Sequence, residues 1–295
     1  MKIKKLSILG SFVALWLTSH LSDIKQIFVG FLLILTFGIL HGANDLVISK
    51  KMNANNLPNF HKNVLQYLSI IVLAIVLFYF VPFITLTFFV LISGLHFGEQ
   101  HWNHLFEEKN AVLKNSFFTV YGLLILLLLF YFNYTIVIDV VKSITAVSIT
   151  SNSILYSLLI ILVTFISLSL YLYRTNEQFK KELFEELFYL LLFVLLFKVS
   201  SLIWGFTIYF IIWHSLPSLS DQIQYLYGES SSANFIKYFK DAFLYWILAL
   251  IGLAVFYYYF NDSQYFISIF FSFLAAITFP HVLVIFTMFK IKKPS

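Results

Sequence analysis

The sequence predicts an all-α protein, a polytopic transmembrane helical bundle of about ten spans with both termini in the cytoplasm. Three observations predict it. The chain of 295 residues is 60% hydrophobic and only 11% charged, where a soluble domain carries about 25% charged residues. So apolar a chain cannot hide its surface in a water-soluble core and belongs in the lipid bilayer. The apolar residues also run in long, continuous Leu/Ile/Phe-rich stretches, not in the alternating segments of about ten residues that barrel strands show. Finally, the basic residues are strongly asymmetric about the resulting spans.

A span needs roughly 20 apolar residues. Taken in order, the candidate segments are 6–22, 25–43, 64–81, 83–98, 112–134, 153–173, 184–200, 202–217, 242–260 and 265–289. The first begins with Lys2, Lys4 and Lys5 and ends in Thr18-Ser19-His20 rather than a small-residue cleavage site, so it reads as a retained span. The stretch 135–152 reads as a loop or re-entrant piece. With this segmentation Lys25, Lys142 and Lys198 fall on one side, and the other sixteen of the 19 basic residues fall on the opposite side with both termini. That side is the cytoplasm, and the membrane is the cell's inner (plasma) membrane. No linker, low-complexity tract or repeat interrupts the chain, which reads as a single integral-membrane domain, 1–295. The net charge of +5 is spread over loops, so it reports orientation and does not point to nucleic acid.

Cysteine is absent. Disulfides and thiolate metal sites are therefore excluded, and a metal would have to be held by histidines and carboxylates. The eight histidines divide by setting. His41 lies at the cytoplasmic end of the second span, His96 at that of the fourth and His214 at that of the eighth. His281 lies in the last span, nine residues before Lys290, about 13 Å from the cytoplasmic exit at 1.5 Å per residue. Histidines in membrane segments are costly and mark function. Four imidazoles from four helices at one depth suit an iron, zinc or copper site. The alternative is that each is bonded to a neighbouring carbonyl or hydroxyl and helps helices pack. Asp45, four residues after His41, shares a helix face with it if the helix continues; alone it reads as a rim carboxylate or helix-end charge, and beside His41 as a residue that orients an imidazole or is itself a ligand. His20 and His61 read as solvated surface, and His101 and His104 as weaker candidates in Glu99-Gln-His-Trp-Asn-His104. The Glu182, Glu185, Glu186 cluster reads as a solvated helix start. Asp221 and Gln222 read as loop or cap residues, and Pro217 as the end or a kink of its helix.

Four local sequences occur in order: Gly38-Ile-Leu-His41-Gly-Ala-Asn-Asp45, Leu95-His96-Phe-Gly98, Trp213-His214-Ser215-Leu216-Pro217-Ser218 and Phe279-Pro280-His281-Val282. Together they resemble the Brp/Blh family of membrane β-carotene 15,15′-dioxygenases, from the second span to the last. The resemblance implies a non-haem Fe(2+) enzyme that cleaves the central double bond of β-carotene with O2 to give two retinals, which can pass to a microbial opsin. It implies His41, His96 and His214, with Asp45, as catalytic residues, and His41, His96, His214 and His281 as the metal set. The family pattern W-H-x-x-x-H would place a further histidine at position 218, which is Ser218 here. The ligands are then three histidines with water, or recruit His281, His101 or Asp45. Aromatic residues, 20% of the chain, suit a site for a rigid apolar polyene, with Tyr209 and Trp213 beside His214 as candidate walls. Ser215, Ser218, Ser220 and Asp221 are candidates for its polar mouth. The rival readings are a membrane di-iron hydroxylase or desaturase, a haem protein, and a non-catalytic transporter or opsin-assembly protein.

Overall fold

The computed structural model describes residues 2–52, 60–106, 110–259 and 266–292. Lys109, Lys293 and the first residue of the segment 265–289 lie outside them. Every regular element among the described residues is helical. In chain order they are α1 (Lys2–His20), α2 (Asp23–Leu33), a π-helical turn (Ile34–Gly38), α3 (Ile39–Gly42), α4 (Asp45–Met52), α5 (Phe60–Phe80) and α6 (Pro82–Trp102). After a 3-10 turn (Asn103–Leu105) come α7 (Ala111–Phe132), α8 (Tyr134–Thr145), α9 (Ser151–Thr175), α10 (Glu177–Val199) and α11 (Leu202–Ile208). A second π-helical stretch (Tyr209–Ser215) leads into α12 (Leu216–Tyr227), followed by α13 (Ser232–Tyr259) and α14 (Phe266–Lys292).

Among the described residues, eight helical stretches are long and apolar enough to cross a membrane. They correspond to eight of the segments expected from sequence. The other two, 6–22 and 184–200, are also helical, as α1 and α10, but their helices carry Lys4 and Lys5 and the Glu182–Glu186 cluster. The stretch 135–152 differs from expectation. Most of it is helix α8, amphipathic and about 18 Å long at 1.5 Å per residue, too short to span. Val137, Ile138 and Val141 recur at helical spacing and pack into a core. Asp139 and Lys142 interrupt the run, so no continuous apolar stretch announces the helix.

The chain forms two compact units. The first comprises Met1–Leu33, Val90–Lys142 and Val147–His214. Its core is aromatic: Trp102 stacks on Phe179 at 5.2 Å and meets Tyr121 edge-on at 5.4 Å between ring centroids. Helix α1 is tied to the chain around α11 by a row of small hydroxyls on one face. The Trp213 indole donates to Ser11 Oγ and the Trp204 indole to Thr18 Oγ1, each at 2.8 Å, while Ser7 Oγ donates to the Ile212 carbonyl at 3.0 Å. Helices α6 and α7 touch backbone to backbone: a Cβ added at Gly98 would lie 1.9 Å from the Phe118 carbonyl oxygen, and one at Gly122 1.9 Å from that of Gly94. Gly94 and Gly98 are the small-xxx-small pair by which membrane helices approach closely.

The first unit also corrects the reading of the α10 carboxylates. Glu186 is 1% exposed. Its carboxylate receives Lys4 Nζ at 3.1 Å and His101 Nε2 at 2.5 Å, while Glu182 lies 3.4 Å from Lys4 Nζ and 3.1 Å from His104 Nε2. Glu186 sits midway along α10, where a carboxylate facing inward must be paired; Tyr189 donates to Glu185 one turn away. Glu186→Ala strands His101, leaves Lys4 only Glu182 as a partner, and is expected to cost about 3–5 kcal/mol, measured as a lowered thermal-unfolding midpoint in detergent. Glu186→Gln, which keeps an acceptor for His101, is expected to fall between this variant and wild type.

The second unit comprises Ile34–Phe89, Ser143–Ala146 and Ser215–Ser295. Here α14 packs against α4 and α5, and α12 against α13. Ile48, Ile223, Tyr238, Ala242, Ile285 and Met288 form its buried core. Pro217 does not end its helix. It is the second residue of α12, and the helix runs on through it directly from the π-helical stretch. The outward side chains of α5, among them Leu65, Val72 and Phe80, are exposed and apolar, as a lipid-facing helix requires.

Candidate metal centre

His41 follows a turn whose i→i+5 pattern displaces the local carbonyls. Its Nδ1 lies 2.5 Å from the Gly38 carbonyl oxygen. A carbonyl only accepts, so Nδ1 carries the proton and Nε2 carries the lone pair. The short segment after His41 is pinned by Asn44, whose side-chain amide donates to the Tyr238 carbonyl at 2.9 Å. Helix α4 then starts at Asp45, which is 1% exposed.

Asp45 turns to a partner far along the chain. Its Oδ1 accepts from His281 Nδ1 at 2.8 Å and its Oδ2 from the Tyr67 hydroxyl at 2.9 Å. His281 stands directly after Pro280 inside α14. The imidazoles of His41 and His281 meet edge to face, 4.8 Å between centroids at 89°. Both present the same tautomer, with Nδ1 protonated by virtue of an acceptor and the lone pair, which could hold a metal, on Nε2. A carboxylate or carbonyl behind the imidazole is the arrangement by which metal-ligating histidines are oriented.

The first unit brings together a second pair. His96 on α6 and His214 in the π-helical stretch meet at 4.7 Å and 73°. Phe97 lies 4.7 Å from the His214 ring and Phe210 stacks on it at 5.5 Å and 14°. His96 is 2% and His214 1% exposed. The π-helical winding puts His214 one residue out of the register an α-helix would give it. The Gly98 contact fixes the depth at which α6 carries His96.

All four histidines expected from sequence are buried, and Asp45 with them. The carboxylate of Asp45 is committed to His281 and Tyr67. His101 and His104 go to the carboxylates of α10, and His20 and His61 are exposed as expected. Tyr209 and Trp213 lie in the core of the first unit, each against Phe193 at 5.3 and 5.0 Å. Gln222 is not a loop or cap residue: it is buried within α12, where its amide donates to Ser218 Oγ at 3.1 Å and its Oε1 accepts from the Tyr238 hydroxyl at 2.6 Å. The Tyr238 hydroxyl also lies 3.1 Å from the His41 carbonyl oxygen. Position 218, where the resembled pattern carries a histidine, thus belongs to a polar network beside the His41 segment. Tyr67, Gln222 and Tyr238 were not singled out for the site from sequence. Only a tyrosine within an apolar stretch hints at Tyr67, and many tyrosines share that setting.

Buried imidazoles without any thiolate are a donor set for a borderline metal with nitrogen ligands, iron included. No curated protein and no solved structure matches the chain. The family model for beta-carotene 15,15′-dioxygenase matches residues 32–289, a range that takes in all four histidines and Asp45. The chain therefore belongs to the beta-carotene 15,15′-dioxygenase family.

Proposed function

We propose that the protein is a non-haem iron dioxygenase that cleaves the central double bond of β-carotene, or a related carotenoid, with O2 to give two retinals. His41, His96, His214 and His281 would hold the iron, and Asp45 would serve catalysis from behind His281. The observation that carries the reading is the commitment of Nδ1 in both His41 and His281 to a buried acceptor, which directs Nε2 to a metal. Family membership supports the substrate and the oxidant. His281 takes the ligand role that a histidine at position 218 would have had, since Ser218 is bonded within the Gln222–Tyr238 network.

When bound, Fe(2+) supplies a centre at which O2 can be activated at an open coordination position. The chain's own residues do the rest. The Gly38 carbonyl and Asp45 hold two imidazoles in the ligating tautomer. Phe97 and Phe210 wall His214 with apolar surface and exclude water there. Both oxygen atoms of O2 enter the products, one at each new aldehyde, so no proton has to be supplied by a side chain. The substrate is a bilayer-soluble polyene, so the reaction calls for positioning rather than acid–base work. The protein acts in the plasma membrane as a ten-span, single-domain bundle with both termini cytoplasmic, and retinal passes from it to a microbial opsin.

Expression in β-carotene-producing cells is expected to bleach their orange colour, with retinal accumulating and one iron per purified chain. Persistent colour with folded, iron-loaded protein overturns the reading. Two irons per chain favour a di-iron hydroxylase, and a Soret band a haem protein.

A further inference from the structure

We infer that Tyr67 and Asp45 form a positioning pair that acts through His281, and that Asp45 is not itself a metal ligand. The inference rests on the reading of His281 as a ligand. Both carboxylate oxygens of Asp45 are engaged, Oδ1 by His281 Nδ1 at 2.8 Å and Oδ2 by the Tyr67 hydroxyl at 2.9 Å. A carboxylate at 1% exposure is held in place by such donors, and a hydrogen bond to an ionised acceptor is stronger than a neutral one. The three residues come from three helices, α5, α4 and α14, all within one compact unit. Helix α14 packs along α5 and α4, so the chain's own packing brings the hydroxyl, the carboxylate and the imidazole into line.

The geometry has a direction. Tyr67 can only donate to Asp45, Asp45 then accepts from His281, and His281 is left with its lone pair on Nε2. Removing the Tyr67 hydroxyl frees the carboxylate to rotate, and the imidazole loses its fixed orientation. Tyr67 stands on a helix whose neighbours Leu65 and Leu68 are exposed and apolar. Its hydroxyl reaches inward from a lipid-facing element, as an amphipathic side chain does when only its tip has a polar partner.

Co(2+) titration of the purified full-length protein in detergent, read by ligand-field absorption, tests this without relying on turnover. Asp45→Asn is expected to weaken Co(2+) binding about 10–100-fold and to shift the ligand-field bands. Tyr67→Phe is expected to weaken it about tenfold. The double variant is expected to bind no more weakly than Asp45→Asn, because Tyr67 acts only through Asp45. Tyr67→Phe removes a single oxygen and decides the matter if Asp45→Asn does not accumulate. Wild-type affinity and bands in Tyr67→Phe, or fully additive losses in the double variant, overturn the pair. The reading beneath it fails separately: His281→Ala with wild-type Co(2+) affinity removes His281 from the ligand set. A weakened His281→Ala beside wild-type Tyr67→Phe and Asp45→Asn overturns the positioning pair alone.

Discussion

Replacing His41, His96, His214 or His281 singly by alanine is expected to lower retinal formation by at least about 10²–10³-fold. Loss of a ligand removes transition-state stabilisation of several kcal/mol, and each 1.36 kcal/mol is a factor of about ten in rate. Each histidine is buried, so the variant leaves a cavity where an imidazole stood. In wild type the carboxylate of Asp45 is committed to Tyr67 and His281. The measurement is retinal per unit of membrane-inserted protein in β-carotene-producing cells, with iron content determined alongside. Two results together are expected, lost retinal and lowered iron, in protein that still accumulates folded in the membrane. Full activity in His281→Ala would remove it from the ligand set and return the search for the fourth ligand to the neighbourhood of Ser218.

The second large effect is on folding. Gly98→Val places a Cβ 1.9 Å from the Phe118 carbonyl oxygen, and Gly122→Val one 1.9 Å from the carbonyl oxygen of Gly94. Those neighbours are main-chain atoms that cannot rotate aside, so α6 and α7 must part and surrender their contact. Either variant is expected to cost at least about 3 kcal/mol, the upper end of overpacking penalties. That lowers the midpoint of thermal unfolding by about 6–12 °C or prevents accumulation of folded protein. Gly252→Ala is the control: the nearest atom to its added Cβ is Phe273 Cε2 at 4.0 Å, an ordinary contact. It is expected to be neutral or slightly stabilising through helix propensity. A thermal midpoint of Gly98→Val equal to that of Gly252→Ala would show that the two helices are not held at this distance. Because Gly98 is two residues from His96, the same variant is also expected to lose metal before it unfolds.

The histidines of the candidate site were legible in the sequence, and for a physical reason. A histidine in an apolar segment is expensive, so His41, His96, His214 and His281 stand out from their surroundings one at a time. The family words around them are local as well. The helices were legible where apolar residues run without interruption, and α8 was not, because Asp139 and Lys142 break its run while its inward face stays apolar. One carboxylate of α10, Glu186, was misjudged for the converse reason. Glu186 stands among charged neighbours that look solvated, but it points to Lys4, 182 residues away.

The sequence by itself determined the membrane class, the all-helical architecture and the donor atoms available to a metal: imidazoles and a carboxylate, never a thiolate. Those follow from composition and from the cost of polar groups in apolar segments, which a residue carries wherever it ends up. Which nitrogen of the His41 and His281 imidazoles keeps its lone pair was decided only by the tertiary structure. That choice depends on the acceptor behind the ring: for His41 the Gly38 carbonyl presented by a π-helical turn, for His281 a carboxylate 236 residues away. A helical period of 3.6 does not announce a π turn, and no local pattern announces a partner on another helix. The same holds for Asp45. Its spacing from His41 suggested that they share a face, but α3 ends between them and α4 starts afresh at Asp45. The carboxylate therefore turns to the helices packed against α4, where Tyr67 and His281 are waiting for it.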